Sequence, residues 1–366
     1  MLSMLSFAAA WPDVPHFDGI FLNLNDATAA WTKEQWVTDF QSMKAVGMTF
    51  FCVHHPASGL DANYTATCPF GRYKTKFPPR YLPSACYEQQ AGPAGLAILT
   101  MLDALEEVQG LQMHLGLAHT FEATFGLADF ARYTALQKEV AAGIWSIIPE
   151  THRALVGGVY AMTEPHNGHY PWDTEVEQVS AYFNGLAAFV KSTLRSDLLV
   201  WDSPYITGNT TGDEDAKQGH VMNVSDTAAW WSKVWKLAPS FDLIAVQDHL
   251  GQGYMSSFHN VSEYFPAVAA TAVAAGRSGM WANIELFGQS TGPNSTGTYY
   301  CHNCVAKWPR VKAQLALESS LPHVTKRIAW EWTGCLSPNY GPEGPNTSKA
   351  LYAEYKAYID AGVAAA

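Results

Sequence analysis

Short runs of apolar, β-branched and aromatic residues alternate along this chain with longer stretches in which apolar positions recur every three to four residues. The short runs predict eight strands: Gly19–Leu24, Met48–Val53, Met113–Leu117, Gly158–Met162, Leu198–Asp202, Leu243–Gln247, Gly279–Glu285 and Arg327–Trp332. Several are apolar throughout rather than alternating, as expected of parallel strands buried on both faces. They recur about every 40 residues, the length of a strand–loop–helix–loop unit.

The stretches between them predict helices with readable ends. Trp31–Val46 carries Thr32 and Gln35 at capping-box spacing and stops at Gly47. Gly95–Gln109 places Leu96, Leu99, Leu102 and Leu105 at helical spacing and stops at Gly110. Asp226 is placed to cap a helix carrying Trp230, Trp231 and Trp235, which read as helix-to-barrel core. Further helices are expected over Leu127–Trp145, Thr174–Thr193, Val261–Ala274, Val305–Ser319 and Thr347–Ala361. Eight alternating pairs predict an α/β fold, a single-domain (β/α)8 TIM barrel over residues 17–366, preceded by a segment 1–16. An open doubly wound sheet is the alternative, but no Gly-x-Gly-x-x-Gly fingerprint follows the first strand. The chain has 366 residues and no linker-like break in composition, which favours one domain over two.

Composition narrows the function. With 33 acidic and 22 basic side chains the net charge is −11, which argues against nucleic acid and acidic membrane surfaces as partners. No apolar run approaches the ~20 residues of a membrane span. Charged residues make up only 15% and aromatic residues 13%, a balance suited to a compact enzyme whose ligand is neutral and polar. No motif calls for an organic cofactor, and oligomeric state is not read from this sequence.

Six cysteines and six Asn-x-Ser/Thr sequons point to an oxidising, secretory compartment. Cys68 with Cys86 closes one loop, and Cys301 pairs with Cys304 or reaches Cys335. Cys52 lies in a strand and reads as a buried thiol. A structural zinc site needs a second ligand pair, and only one Cys-x-x-Cys is present. The sequons at Asn63, Asn209, Asn223, Asn260, Asn294 and Asn346 predict a secreted or lumenal, N-glycosylated eukaryotic protein. Residues 1–10 are apolar and end in small residues but lack a basic start, so segment 1–16 reads as a signal-peptide remnant or a frayed end.

In a TIM barrel the active site lies at the C-terminal ends of the strands. Polar residues gather there: Asn23 and Asn25, His54 and His55, His119, Thr163-Glu164-Pro165-His166-Asn167, Asp202 and Tyr205, Gln247-Asp248-His249, Asn283 and Glu285, then Glu331 and Trp332. Glu164 and Glu285 emerge directly from apolar strands, the fourth and the seventh. A single such glutamate can pair with an arginine or cap the next helix. A pair facing across the mouth is what glycoside hydrolysis requires, one carboxyl to protonate the leaving oxygen and one to attack or to activate water.

At these residues the chain resembles the retaining glycoside hydrolases of clan A, which carry catalytic glutamates on strands 4 and 7. More closely, the VYAMTEPHNG, VQDHLGQG and WANIELFG segments resemble a glycosidase-like barrel family long described as a domain of unknown function. The likeness spans Phe17 to about Ala361 and implies Glu164 as general acid/base and Glu285 as nucleophile. The chain departs from the clan at Thr163, where an Asn usually holds the sugar 2-hydroxyl. That contact and the usual β-linkage preference therefore do not carry over.

The remaining strand-end residues suit a carbohydrate substrate. Asn25, His55, His119, Tyr205, Gln247 and Asp248 have donors and acceptors for sugar hydroxyls, and Tyr205 is also placed to orient the nucleophile. Trp332, nearest the predicted mouth, is expected to offer a flat face to a sugar ring, whereas Trp281 and Trp330 are expected in the core. Long loops over 56–93 and 289–304 wall a pocket or short cleft. Two other readings remain. His54, His119, Asp248 and His249 suggest a metal-dependent hydrolase, although the strand-1 His-x-His of many such barrels is absent. A carbohydrate-binding barrel without catalysis is the other. A Ser or Cys hydrolase lacks its Gly-x-Ser-x-Gly elbow.

Overall fold

The eight expected runs become eight parallel strands: β1 (Gly19–Asn23), β2 (Phe50–His54), β3 (Gln112–Gly116), β4 (Val156–Tyr160), β5 (Leu199–Asp202), β6 (Leu243–Gln247), β7 (Met280–Glu285) and β8 (Val324–Trp330). Each pairs with its neighbours in chain order, and β8 returns to β1 to close a (β/α)8 barrel. The computed structural model describes residues 14–24, 26–54, 57–60, 65–68, 71–74, 97–120, 130–167, 174–206, 208, 221–251, 257–290 and 299–365. The principal helices are α1 (Lys33–Lys44), α2 (Ala97–Val108), α3 (Phe130–Ile147), α4 (Thr174–Phe189), α5 (Val224–Leu237), α6 (Phe258–Ala274), α7 (Trp308–Ser320) and α8 (Ser348–Ala365).

Local chemistry sets the helix ends. The Thr32 hydroxyl accepts from the Gln35 amide while the Gln35 side chain accepts from the Thr32 amide at 2.8 Å, the expected capping box. At α5 the cap is Asn223, three residues before the expected Asp226. Asn223 Oδ1 takes the Asp226 amide at 2.9 Å, and Asp226 sits in the first turn, where its carboxylate accepts from Asn223 Nδ2. The loops hold more strand than the sequence predicts. Residues 57–60, 65–68, 71–74 and 118–120 form a four-stranded sheet, and Phe287–Ser290 pairs with Tyr299–Val305. These ladders satisfy main-chain groups that a long loop would otherwise leave unpaired.

The seam between β1 and β8 is clamped by Asp18. Its main-chain N–H donates to Arg327 O at 2.7 Å, and its carboxylate accepts the Arg327 N–H at 2.8 Å and pairs with the guanidinium at 3.2 Å. Inside the barrel a column of rings runs from Phe50 and Trp281 at the N-terminal end, through Trp201, Tyr160 and Phe21, to His54 and Trp330 at the C-terminal end. Successive centroids in this column lie 4.3 to 5.5 Å apart, within the range of favourable ring packing. Trp281 is buried as expected, and so are Trp230, Trp231 and Trp235.

Some expectations about the surface meet the structure directly. Cys335 is a buried free thiol, so it does not bond Cys301 or Cys304; burial pushes its thiol up. Cys52 is likewise a buried free thiol. The side chains of Cys68, Cys86, Cys301 and Cys304 lie outside the described residues, as do Asn63, Asn209, Asn294 and residues 1–13. Asn223 and Asn260 begin helices, whereas Asn346 is exposed. Among the described residues no helix is long and apolar enough to cross a membrane.

The glycines of β4 leave space for the His114 ring. A Cβ on Gly158 meets the Leu199 carbonyl oxygen at 2.7 Å and His114 Nδ1 at 3.0 Å, and the first of these is backbone of the paired strand. Gly158→Ala is therefore expected to destabilise the barrel by about 2 kcal/mol, since an overpacked core forces its neighbours apart. Urea unfolding measures it, and an unchanged midpoint would show that β4 and β5 separate freely.

Candidate active site

The chain leaves β4 at Tyr160 and makes an irregular rim. Met162 and Glu164 adopt left-handed φ values of 65° and 45°, conformations that carry a cost for residues with a Cβ. Side chains from the outer layer hold this segment. Tyr182 donates its hydroxyl to Ala161 O, Tyr133 donates to Met162 O at 3.1 Å, and the Thr163 N–H donates to Asp202 Oδ1 at 3.0 Å. The half-buried Glu164 carboxyl accepts the Tyr160 hydroxyl at 3.0 Å, so the top of the ring column is tied to it. The Gln247 side chain also donates to this carboxyl.

Burial pushes the Glu164 carboxyl up to about 7, and the neighbouring Asp202 charge pushes in the same direction against the hydrogen bonds of Tyr160 and Gln247. Asp202 is itself raised to about 7 by burial, partly offset by the amides of Thr163, Glu164 and Ser203. Glu164 is thus a carboxyl that holds its proton close to neutrality.

Glu285 ends β7 and is buried. The barrel order puts three strand steps between β4 and β7, so the two glutamates arise from opposite parts of the rim. His249 Nε2 lies 3.9 Å from Glu285 Oε1. Gly251 packs on the same side chain: a Cβ there meets Glu285 Cβ and Oε2, each at 2.8 Å. His249 is the end of a three-ring stack, His166–Tyr205–His249, with both centroid separations 4.3 Å and interplanar angles of 14° and 19°. This stack links the loop after Glu164 to the side chain of Glu285. Burial depresses the His249 imidazole to about 3, so it is neutral beside the carboxyl.

The structure redistributes several sequence-predicted roles. Tyr205 and Gln247 are half-buried on the rim, with Gln247 Nε2 also donating to Ser203 O at 2.7 Å. Asp248 is not available to sugar hydroxyls. It is fully buried, its Oδ1 accepts the N–H groups of Leu250 (3.1 Å) and Glu285 (3.3 Å), and its Oδ2 accepts from Gln314 Nε2. Trp332 is not a sugar platform either. It is 1% exposed, and its indole N–H donates to Asp39 Oδ2 at 2.6 Å. The reason is that β8 ends at Trp330 and Glu331 starts a short helix, Trp332–Cys335, accepting the amides of Thr333 (3.1 Å) and Gly334 (2.6 Å). Trp330, expected in the core, is instead the half-buried indole at the mouth, against His54. Asn25 and His55 lie outside the described residues, and so does the side chain of His119.

His54 Nδ1 is 3.0 Å from Asn23 Oδ1, and Asp248 faces the helix layer. Among the described residues no three His, Cys, Asp or Glu side chains converge as metal ligands, so the metal-dependent alternative has no donor set there. A cavity of about 680 Å³ opens at the N-terminal end of the barrel, lined in part by Phe50, Gln112, His114, Trp281 and Lys326. It lies at the far end of the ring column from both glutamates. Sequence reasoning passed over Arg310, Gln314 and Glu318 on α7. Their spacing of four was the available signal, because it puts three polar residues on one face of a helix.

Comparison with known proteins supports the architecture. A chain from Bacteroides thetaiotaomicron, provisionally described as an α-L-fucosidase, is similar over 96% of this chain and 97% of its own, with TM-score 0.69 and 17% identity. An endo-1,4-β-mannanase from Rhizomucor miehei is similar over 95% of each chain, with TM-score 0.55 and 13% identity. A GH113 β-1,4-mannanase covers 95% of this chain and 99% of its own, with TM-score 0.50 and 13% identity. At such identities the likeness establishes the shared barrel fold. A search of curated proteins finds no match to the sequence. The family model described as "Domain of unknown function (DUF4434)" matches residues 17–341, nearly the whole barrel, and the chain belongs to that family.

Proposed function

We propose that the protein is a retaining glycoside hydrolase acting on a neutral carbohydrate, with Glu164 as general acid/base and Glu285 as nucleophile. The observation that carries this reading is a pair of carboxyls at the ends of β4 and β7, on opposite parts of one rim. Glu164 is half-buried with its proton held to about 7, and Glu285 is buried at the end of β7. A carboxyl that keeps its proton close to neutrality suits the acid role, and a second carboxyl across the rim suits the base or nucleophile. The printed descriptions of the structural neighbours as a fucosidase and mannanases support the substrate class.

In the first step Glu164 gives its proton to the glycosidic oxygen while a Glu285 oxygen bonds the anomeric carbon and the C–O bond to the leaving sugar breaks. In the second, water attacks that carbon, its proton passes to Glu164, and the Glu285 ester bond breaks. Tyr160 and Gln247 orient the acid throughout. Tyr205 and Gln247 are the rim groups for sugar hydroxyls, and half-buried Trp330 supplies the apolar face for a ring. The sequons, with Asn346 exposed, support a secreted, N-glycosylated protein.

A panel of neutral glycans and aryl glycosides supplies a substrate for the test. Proton NMR of the first-formed product should show retained anomeric configuration. Glu285→Ala should lower kcat by about ten-thousandfold, with partial recovery in azide. Glu164→Gln should lose about a hundredfold or more on sugars with poor leaving groups and far less on activated aryl glycosides. Inverted product, or full activity in Glu285→Ala, removes the assignment.

The pH profile tests the acid separately. The Glu164 proton must be present, so kcat/KM should fall as pH rises through about 7. Asp202 raises that carboxyl, and its negative charge is lost in Asp202→Asn, which keeps an oxygen for the Thr163 N–H. Ionisation of Glu164 becomes easier, so the alkaline limb should move to lower pH. A limb that stays put would show that Asp202 does not act on Glu164.

A further inference from the structure

The peptide group of Glu285 is held from outside the barrel wall. Its N–H donates to Asp248 Oδ1 at 3.3 Å, and its carbonyl accepts from Arg310 Nη2 at 3.2 Å. The same guanidinium nitrogen donates to Phe287 O, two residues on. Asp248 is kept in place on its other oxygen by Gln314 Nε2, and the carboxyl of Glu318 lies beside it. Arg310, Gln314 and Glu318 are spaced four apart on α7, so one helix face supplies all three contacts. Gln314 and Glu318 are fully buried and reach no substrate.

The 248–251 turn completes the arrangement. His249 has a left-handed φ of 54°, and the Leu250 N–H returns to Asp248 Oδ1 at 3.1 Å. That turn brings Gly251 onto the Glu285 side chain and His249 to its carboxyl. Displacing Asp248 would therefore loosen both the backbone and the side-chain packing of Glu285. Glu318 is pushed well above the ordinary carboxyl range by burial and then by the Asp248 charge beside it.

We propose that Arg310, directly on the Glu285 carbonyl, and Gln314 and Glu318, through Asp248, are positioning residues that fix Glu285 for nucleophilic attack. The proposal rests on Glu285 being the nucleophile, as set out above. It predicts that α7 controls turnover without touching the sugar, because a displacement of order 1 Å in a reacting group can cost about a hundredfold in rate.

The experiment pairs two readouts in full-length protein. Gln314→Met and Glu318→Met each remove a neighbour of Asp248, Arg310→Met removes the donor to both carbonyls, and Glu318→Gln keeps a donor for Asp248. On a substrate from the glycan panel, kcat should fall about ten- to a hundredfold in the Met variants, with KM changed less than about threefold. Glu318→Gln should recover most of the loss seen in Glu318→Met. Hydrogen exchange should quicken in the peptide covering residues 280–287 of the Met variants while β1 to β3 keep their protection. Arg310→Lys should recover less than Glu318→Gln, because a single ammonium replaces a planar guanidinium at two carbonyls.

Unchanged kcat in all three Met variants, a loss confined to KM, or unaltered exchange over 280–287 would overturn the positioning role. Uniformly faster exchange throughout the barrel would also overturn it, since the residues would then serve stability alone. Glu285→Ala separates the two claims. If it retains activity the nucleophile assignment fails, whereas an inactive Glu285→Ala beside fully active α7 variants sinks only the positioning proposal. If no panel sugar turns over, the exchange readout still decides whether α7 holds the Glu285 backbone.

Discussion

Carboxyls buried where strands end take main-chain amides as hydrogen-bond partners, and those bonds organise the rim of this barrel. Strand ends leave amides that the ladder no longer pairs, and a buried unpaired polar group costs about 1–3 kcal/mol. Asp202 takes the Thr163 N–H, Asp248 takes those of Leu250 and Glu285, and Glu331 takes those of Thr333 and Gly334. Three acids thereby fix the main chain beside three strand ends. Two of them, Asp202 and Asp248, do so one strand away from the glutamate they serve, so each glutamate is held by its neighbour in the barrel.

The aromatic column supplies the other half of the design. Because it fills the interior, little water reaches the groups within, and charge is disfavoured in both signs. At the lower end His114 is pushed down to about 3, by burial first and then by the Lys326 charge. Its Nδ1 lies 3.0 Å from Trp201 Nε1, which must be the donor, so the histidine proton resides on Nε2. At the upper end the same desolvation pushes Glu164 up to about 7. One physical cause keeps a base neutral at the floor and an acid protonated at the mouth. Tyr160 belongs to both systems, since its ring packs on Trp201 and Phe21 while its hydroxyl reaches Glu164.

The strands, the capping box at Thr32 and both glutamates were legible in the sequence because each is a local pattern. Several strand runs are apolar throughout, with Glu164 four residues past the end of β4 and Glu285 the last residue of β7. What failed was the direction of individual side chains. Asp248 was grouped with its neighbours by chemistry, but alternation along a strand sends residue i+1 to the opposite face. Gln247 stays on the rim beside Glu164, whereas Asp248 turns toward α7. Trp332 shares the parity of Trp330, yet β8 stops at Trp330 and the following helical turn carries Trp332 under Asp39. The α5 start was misplaced by three residues because Asn223 and Asp226 are both good caps, and only the fold decides which of them precedes the first turn.

Fold alone leaves the chemistry open, since barrels of this kind support many reactions. The rim contains its own control for the plainest reading of a strand-end glutamate, that it caps a helix. Glu331 does that: it directly follows a strand, accepts two amides of the next helical turn, and is raised to about 7 by burial against those bonds. Glu164 shares the raised carboxyl but not the structural use. Its partners are the side chains of Tyr160 and Gln247, its backbone sits at a costly φ, and it begins no helix. A carboxyl kept protonated on a strained segment, with its backbone held by Asp202 and its oxygen held by a phenol, makes no contribution that a capping residue makes. Thr163 is buried with its N–H committed to Asp202. Under the proposed function, the contacts that select a sugar fall to Tyr205, Gln247 and Trp330, on the β5, β6 and β8 sides of the rim.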